Sequence, residues 1–108
     1  MQVVRIDDKG RALEHVVKVT QTSKENVMWV ALGNGGPWKI TFDKPAGTHK
    51  PGSPFDNEYH VSRGSFVTTQ NGADSSKPTG TYKYNVRDAN NPNNATNIKD
   101  DPDVDVDP

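Results

Sequence analysis

The chain contains no cysteine. That absence removes disulfides, thiolate metal sites and any cysteine nucleophile together. It leaves the compartment open, because a reducing cytosol and a secreted fold with a sufficient core both tolerate it. Long hydrophobic runs are also missing: only 31% of residues are hydrophobic, and no segment approaches the roughly 18 apolar residues that span a bilayer. No membrane partner is expected. Charge of one sign is lacking too, with 13 basic against 14 acidic side chains and a formal net charge of -1. Without a basic patch or stripe there is no electrostatic footprint for nucleic acid. Helical periodicity is scarce, since no stretch keeps apolar residues at three-and-four spacing for more than about two turns between breakers. The N-terminus, MQVVRIDDKG, places Asp7 and Asp8 where a signal peptide needs an apolar run of about seven residues or more. A chain starting natively at Met1 is therefore expected in the cytoplasm, and one trimmed of a leader in a secreted or periplasmic setting.

What the chain does have is a period of two. Apolar and polar residues alternate over short runs that end at Gly, Pro or Asn clusters, which is the pattern of half-buried strands. The runs are QVVRI (2–6), HVVKVTQT (15–22), NVMWVAL (26–32), WKITFD (38–43), EYHVS (58–62), SFVTTQ (65–70), TYKYNVR (81–87) and DVDVD (103–107). With 9 Gly and 8 Pro in 108 residues, they predict one all-β domain over 1–108, a sandwich of about seven to eight strands. The one helical turn expected lies in the Asn-rich loop.

Three long connections stand out: THKPGSPFDN (48–57), TQNGADSSKPTG (69–80) and DANNPNNATNIKDDP (88–102). Loops at strand ends are where a rigid β scaffold carries its binding surface. Asn71-Gly72 reads as a tight turn, and the 88–102 stretch is polar enough to be expected as surface loop. The acidic tail keeps Val104 and Val106 in period two. It is expected as an edge or closing strand, with Asp103, Asp105 and Asp107 in line toward solvent, deterring edge pairing.

The order of these pieces carries a resemblance. An aromatic strand at Val27-Met28-Trp29 precedes GGPWKITFD (35–43), then comes a long loop with Ser53-Pro54-Phe55, then GTYKYNVRD (80–88), and last a Val-x-Val strand. From about Val16 onward the chain resembles the cupredoxin-like family, the Greek-key β-sandwich of the small blue copper proteins. In that family the first copper histidine opens a strand of the pattern Pro-His-x-aliphatic-x-Phe-Asp. Here that position is Trp38. The remaining ligands follow a Gly-x-Tyr-x-aromatic strand, and the resemblance carries the cysteine position to Val86, the second histidine to about Ala89 and the methionine to about Asn94. Blue copper needs a thiolate, two imidazoles and a weak axial group, and this chain supplies none of them at those positions. The resemblance therefore implies a scaffold without its copper site and no cofactor.

Two placements of Trp38 are open. It fills the space of the missing metal and imidazole, packing against Val86 and capping the sandwich, with its N–H reaching a loop carbonyl or water; or it lies exposed as an aromatic platform. His15, His49 and His60 are the whole imidazole supply. They share no metal-ligand spacing, and a relocated site would have to combine His49 and His60 with carboxylates such as Asp43, Asp56 or Glu58. His15 suggests no particular role. Asp100, Asp101, Asp103, Asp105 and Asp107 do not form the bent loop that calcium requires. GNGGP lacks the Gly-Lys-Ser/Thr ending of a phosphate loop. No nucleophile elbow surrounds any serine, so no catalytic residues are assigned. Asn94-Ala95-Thr96 matches a glycosylation sequon in a loop where Asn is abundant.

The functional expectation is a non-catalytic, copper-free cupredoxin-like module that binds a protein or small ligand, with Trp38, His49, Phe55 and His60 as the interaction surface. The alternative is a metal-binding protein with a relocated site at His49 and His60. An immunoglobulin-like sandwich would share the layers but differ in strand order. Oligomeric state is left open by the sequence.

Overall fold

In the computed structural model, residues 1–42, 49–56, 58–91 and 98–108 are described. They form an all-β, sandwich-like domain whose ten strands are β1 (Gln2–Ile6), β2 (Val16–Thr20), β3 (Val27–Ala31), β4 (Trp38–Thr41), β5 (Glu58–Val61), β6 (Phe66–Thr68), β7 (Gly80–Lys83), β8 (Asn85–Asp88), β9 (Ile98–Asp100) and β10 (Asp103–Asp107). No helix occurs among the described residues.

The strands combine into three sheets, ordered β1-β3-β6, β2-β10-β7 and β5-β4-β8-β9. Two pairings are parallel, β1 with β3 and β2 with β10, and all the others are antiparallel. The period-two pattern sets which side of each strand is buried. Val17 and Val19 of β2, Val104 and Val106 of β10, and Val27, Trp29 and Ala31 of β3 point inward, while Lys18 and Val16 face out. In register, Val104 lies opposite Val17 and Tyr82, so three strands contribute one apolar row.

Trp29 occupies the centre of the core and is fully buried. Its ring lies 5.1 Å from Tyr59, 5.6 Å from Tyr84 and 6.4 Å from Phe42, centroid to centroid. The Tyr84 and Phe42 contacts are edge-to-face, the arrangement favoured by the ring quadrupoles. These contacts join β3 of the first sheet to the β4 and β5 side of the third.

The expected eight runs all carry strands, with three differences in detail. The TYKYNVR run is two strands, because the chain changes sheets at Tyr84: β7 pairs with β10 and β8 with β4. Tyr84 N–H donates to the Pro102 carbonyl at this crossing. Part of the 88–102 stretch is a strand rather than loop, since β9 pairs with β8 around a register shift at Val86/Arg87. Backbone pairing holds it without a buried apolar face, so alternation gave no signal: Ile98 is exposed. The helical turn expected in the Asn-rich loop falls largely on 92–97, outside the described residues.

The tail differs most. β10 is the central strand of its sheet, flanked by β2 and β7. Its carboxylates therefore cannot serve to blunt an open edge. Asp105 accepts a hydrogen bond from the Thr81 hydroxyl at 2.7 Å, and Asp103 lies 3.1 Å from Lys83 Nζ. Only Asp107 is exposed.

Candidate functional site

The two ends of β4 differ in character. At its start, Gly35 packs so tightly on the Asp8 backbone that a Cβ would sit 2.5 Å from Asp8 Cα, and Gly36 takes φ +100°. This glycine pair lets the turn pack against Asp8 at the head of the strand whose first residue, Trp38, is buried. The indole is buried at 5% exposure and touches the position a Cβ would occupy on Gly10, next to the Lys99 side chain. Arg63 donates to the Gly36 carbonyl at 2.8 Å and 3.2 Å, and Ala89 N–H donates to the Pro37 carbonyl at 3.0 Å. Trp38 is thus core, and the exposed-platform placement does not hold. Its Nε1 meets no hydrogen-bond partner among the described residues, so the expected loop carbonyl is not found there.

Val86 lies opposite Ile40, one inward-facing row from Trp38, while Trp38 itself pairs with Asp88 and Val61. Trp38 on β4, Val86 on β8 and Ala89 just beyond β8 therefore lie near one another, and Asn94 lies outside the described residues.

The histidines are not brought together in this way. His49 Nε2 is 3.4 Å from Asp103 Oδ1, an oxygen that receives no aligned hydrogen bond and lies 3.1 Å from Lys83 Nζ. His60 Nε2 is 3.6 Å from Glu58, which also pairs with Lys39. Among the described residues, three metal-capable groups converge in one place, at His15, Asp100 and Asp101. Neither His49 nor His60 belongs to it, and Asp43 lies outside the described residues. Both Asp100 oxygens are already engaged, one by His15 and the Asp101 N–H and the other by the Ala12 N–H. The Lys83 ammonium also stands 3.8 Å from Asp101, which opposes a cation. His15 had no sequence signal for this pairing, because its partner is 85 residues away.

Beyond the other end of β4, the ring of Phe42 packs edge-on against Phe55 at 6.2 Å. Here the β2–β3 turn, the Ser53–Asp56 segment and the loop after β6 converge. They are stitched by backbone bonds, with Ala73 N–H donating to Glu25 and Asp74 N–H to Pro54. Gln21 Nε2 adds two, to the Asp74 and Lys77 carbonyls at 3.0 Å and 2.8 Å. Ser53 Oγ donates to the Asp56 carbonyl while accepting from the Phe55 N–H, which fixes the Phe55 turn. Asp56 N–H donates to the Tyr59 hydroxyl, tying the turn to the core.

Between these loops lies a cleft of about 390 Å³, lined by Lys24, Phe55, Asp56, Asn71, Asp74 and Ser75 with Gly72 and Ala73. Its volume falls within the range of small-molecule sites, about 300–1,000 Å³. Lys24 adopts φ +47°, the one described non-glycine residue at positive φ. Such backbone strain is retained only where surrounding structure imposes it. The Lys24 backbone also packs directly on Gly72, where a Cβ would sit 1.7 Å from the Lys24 carbonyl oxygen. The Asp74 carboxyl is held below the usual carboxylate range, chiefly by the Ser76 hydroxyl and N–H and further by Lys77 and Lys24.

The sequence pointed to Phe55 and to the two long loops that meet here. It did not single out Lys24, Asn71, Asp74 or Ser75. The signal available was Asn71-Gly72 itself, which is a bend and not the tight turn expected, and whose glycine is required by its contact with Lys24. Neither a scan against protein-family models nor a search of curated proteins finds a match for this chain.

Proposed function

We propose that the protein is a non-catalytic binding module built on a copper-free cupredoxin-like scaffold, and that the cleft at Phe55 is its binding site. The observation that carries this reading is the cleft: a half-buried aromatic and charged groups of both signs, held by three loops that are hydrogen-bonded to one another. Two features support the cupredoxin-like part. The positions at which the family keeps ligands, Trp38, Val86 and Ala89, neighbour one another across β4 and β8. In addition, β4 and β8 are adjacent although β5, β6 and β7 intervene in sequence, a crossed connection of the Greek-key kind. The indole at Trp38 and the lack of cysteine leave that end without the soft ligands of blue copper.

Of the interaction surface expected from sequence, Phe55 remains at the binding site. Trp38 is withdrawn into the core, and His49 and His60 are each paired with a carboxylate elsewhere. The test has two parts. Elemental analysis after incubation with copper, zinc and calcium, followed by desalting, is expected to find no stoichiometric metal; retention of one equivalent of copper or zinc would favour the relocated histidine site instead. A screen of small polar and charged compounds, read from backbone amide shifts, is expected to give hits that map to Phe55 and to 71–75. Hits confined to the Trp38 end would overturn the placement.

A further inference from the structure

We infer that the cleft takes a neutral saccharide, with one sugar ring against Phe55. This rests on the reading of the cleft as the binding site and adds the chemical class of its ligand. A sugar hydroxyl both donates and accepts, so its site must offer both functions at close spacing. The cleft does. Among its lining residues, Asp56, Asp74 and Asn71 carry side-chain acceptors, and Lys24, Asn71 and Ser75 carry side-chain donors. Charged groups make the stronger hydrogen bonds to neutral partners, and carboxylates with an ammonium supply them here.

The aromatic completes the pattern. One side of Phe55 is packed on Phe42 and the ring is only half-buried, which leaves apolar surface in the cleft for the C–H face of a pyranose. The competing ligand classes fit less well. An anion meets Asp56 and Asp74, and the single lysine does not offset both. A cation meets the carboxylates but also Lys24, which sits near enough to Asp74 to stabilise its charge. A purely apolar ligand would desolvate every one of these groups without replacing their hydrogen bonds. The cleft is also pre-formed: Gly72 against Lys24, the Gln21 clamp and the Ser53 turn fix its walls. Preorganisation matters for sugars, whose many hydroxyls bring a large desolvation cost.

The experiment is a titration of the isotope-labelled full chain with maltose, cellobiose and chitobiose, with free lysine and free glutamate as charged probes, followed by backbone amide shifts. At least one disaccharide is expected to give saturable shifts confined to Phe55, Gly72, Ala73 and Asp74, with a dissociation constant in the millimolar range. Asn71→Ala, at an exposed position, and Phe55→Leu, which keeps apolar volume but removes the ring, are each expected to weaken binding about tenfold. Unchanged shifts at Trp38 and Val86 verify that both variants keep the fold. If lysine or glutamate moves the cleft amides and no sugar does, the saccharide assignment is overturned while the cleft remains the binding site. If none of the five probes moves them, the assignment falls, and the cleft reading then depends on the broader compound screen. Sugar binding that survives both substitutions would also overturn it.

Discussion

The centre of the core offers a sharp test of how the fold is held together. Tyr84 is fully buried, with its ring 5.6 Å from Trp29 and 5.4 Å from Phe42. Its hydroxyl makes no aligned hydrogen bond among the described residues, and neither does Trp29 Nε1. Burial pushes the Tyr84 hydroxyl well above the usual tyrosine range, an effect that the nearby Trp29 N–H opposes only in part. The group is therefore neutral, polar and poorly partnered. A buried hydroxyl in that condition costs roughly 1–3 kcal/mol. Tyr84→Phe removes the hydroxyl and keeps the ring contacts. It leaves a gap of one oxygen, whose lost dispersion contacts amount to roughly 0.5–1 kcal/mol. The balance favours the variant by about 1 kcal/mol, or a midpoint rise of about 4 °C for a domain of this size.

Urea denaturation is the appropriate assay, because an unchanged m-value shows that the difference lies in stability and not in the denatured state. Most substitutions of a fully buried aromatic destabilise, so the sign of the change is informative. A Tyr84→Phe protein less stable than the parent by about 1 kcal/mol or more would refute the reasoning. It would mean that the hydroxyl is satisfied, either by the indole N–H directly or through a water shared between them. Repeating the substitution in a Trp29→Phe background tests whether the two groups interact at all, since coupling vanishes if they do not.

Three other outcomes follow from the packing. Tyr59 is pushed up to about 12 from the model-compound value of 10.0, first by burial. A raised folded-state value means its contribution is complete below the unfolded value and is lost as pH rises from about 10 to about 12, roughly 2–3 kcal/mol in all; urea midpoints against pH should show this loss, reduced in Tyr59→Phe. Gly72→Ala must move the Lys24 backbone and should destabilise by about 2–4 kcal/mol, whereas Gly52→Ala meets nothing within 4 Å and should cost only about 1 kcal/mol for its φ of +78°; equal losses would contradict the contact. Trp38→Ala should lower stability by about 3–5 kcal/mol, as for other buried aromatics, and a near-neutral result in thermal melts would restore Trp38 as a surface residue.

The sequence made the strands legible because each buried strand alternates. Val17 and Val19, Trp29 and Ala31, or Val104 and Val106 all stand two apart and all face inward. Where packing was not the cause, the pattern was silent. β9 exists through backbone pairing to β8 and has no buried apolar residue, so nothing in Ile98-Lys99-Asp100 announced it. The centrality of β10 was hidden for a related reason. Acidic residues on alternate positions look like an edge until β7 is seen to present Thr81 and Lys83 opposite them. The cleft was legible only in outline. Loop lengths suggested where a site could form, but the meeting of Lys24 with Gly72 joins residues 48 apart and depends on how three loops dock.

The same docking explains why the two ends of β4 are not equivalent. Trp38 opens the strand and Phe42 follows its last residue, a separation of about 13 Å at strand rise. At the first end the glycine turn and Gly10 leave room for a large ring, and the indole takes it. At the second end the aromatic row continues outward through Phe42 to Phe55 and stops at half-burial, beside groups of both charges. A chain needing only stability could close that end with an apolar residue, as Trp38 does at the other. Instead, Lys24 is held at positive φ against Gly72, a local cost that core packing does not require. Lys24→Gly separates the two accounts: it relieves the strained φ and removes the ammonium, so stability should rise by about 1 kcal/mol while saccharide binding weakens. Were stability to rise with binding intact, the strain at Lys24 would have no part in holding a ligand.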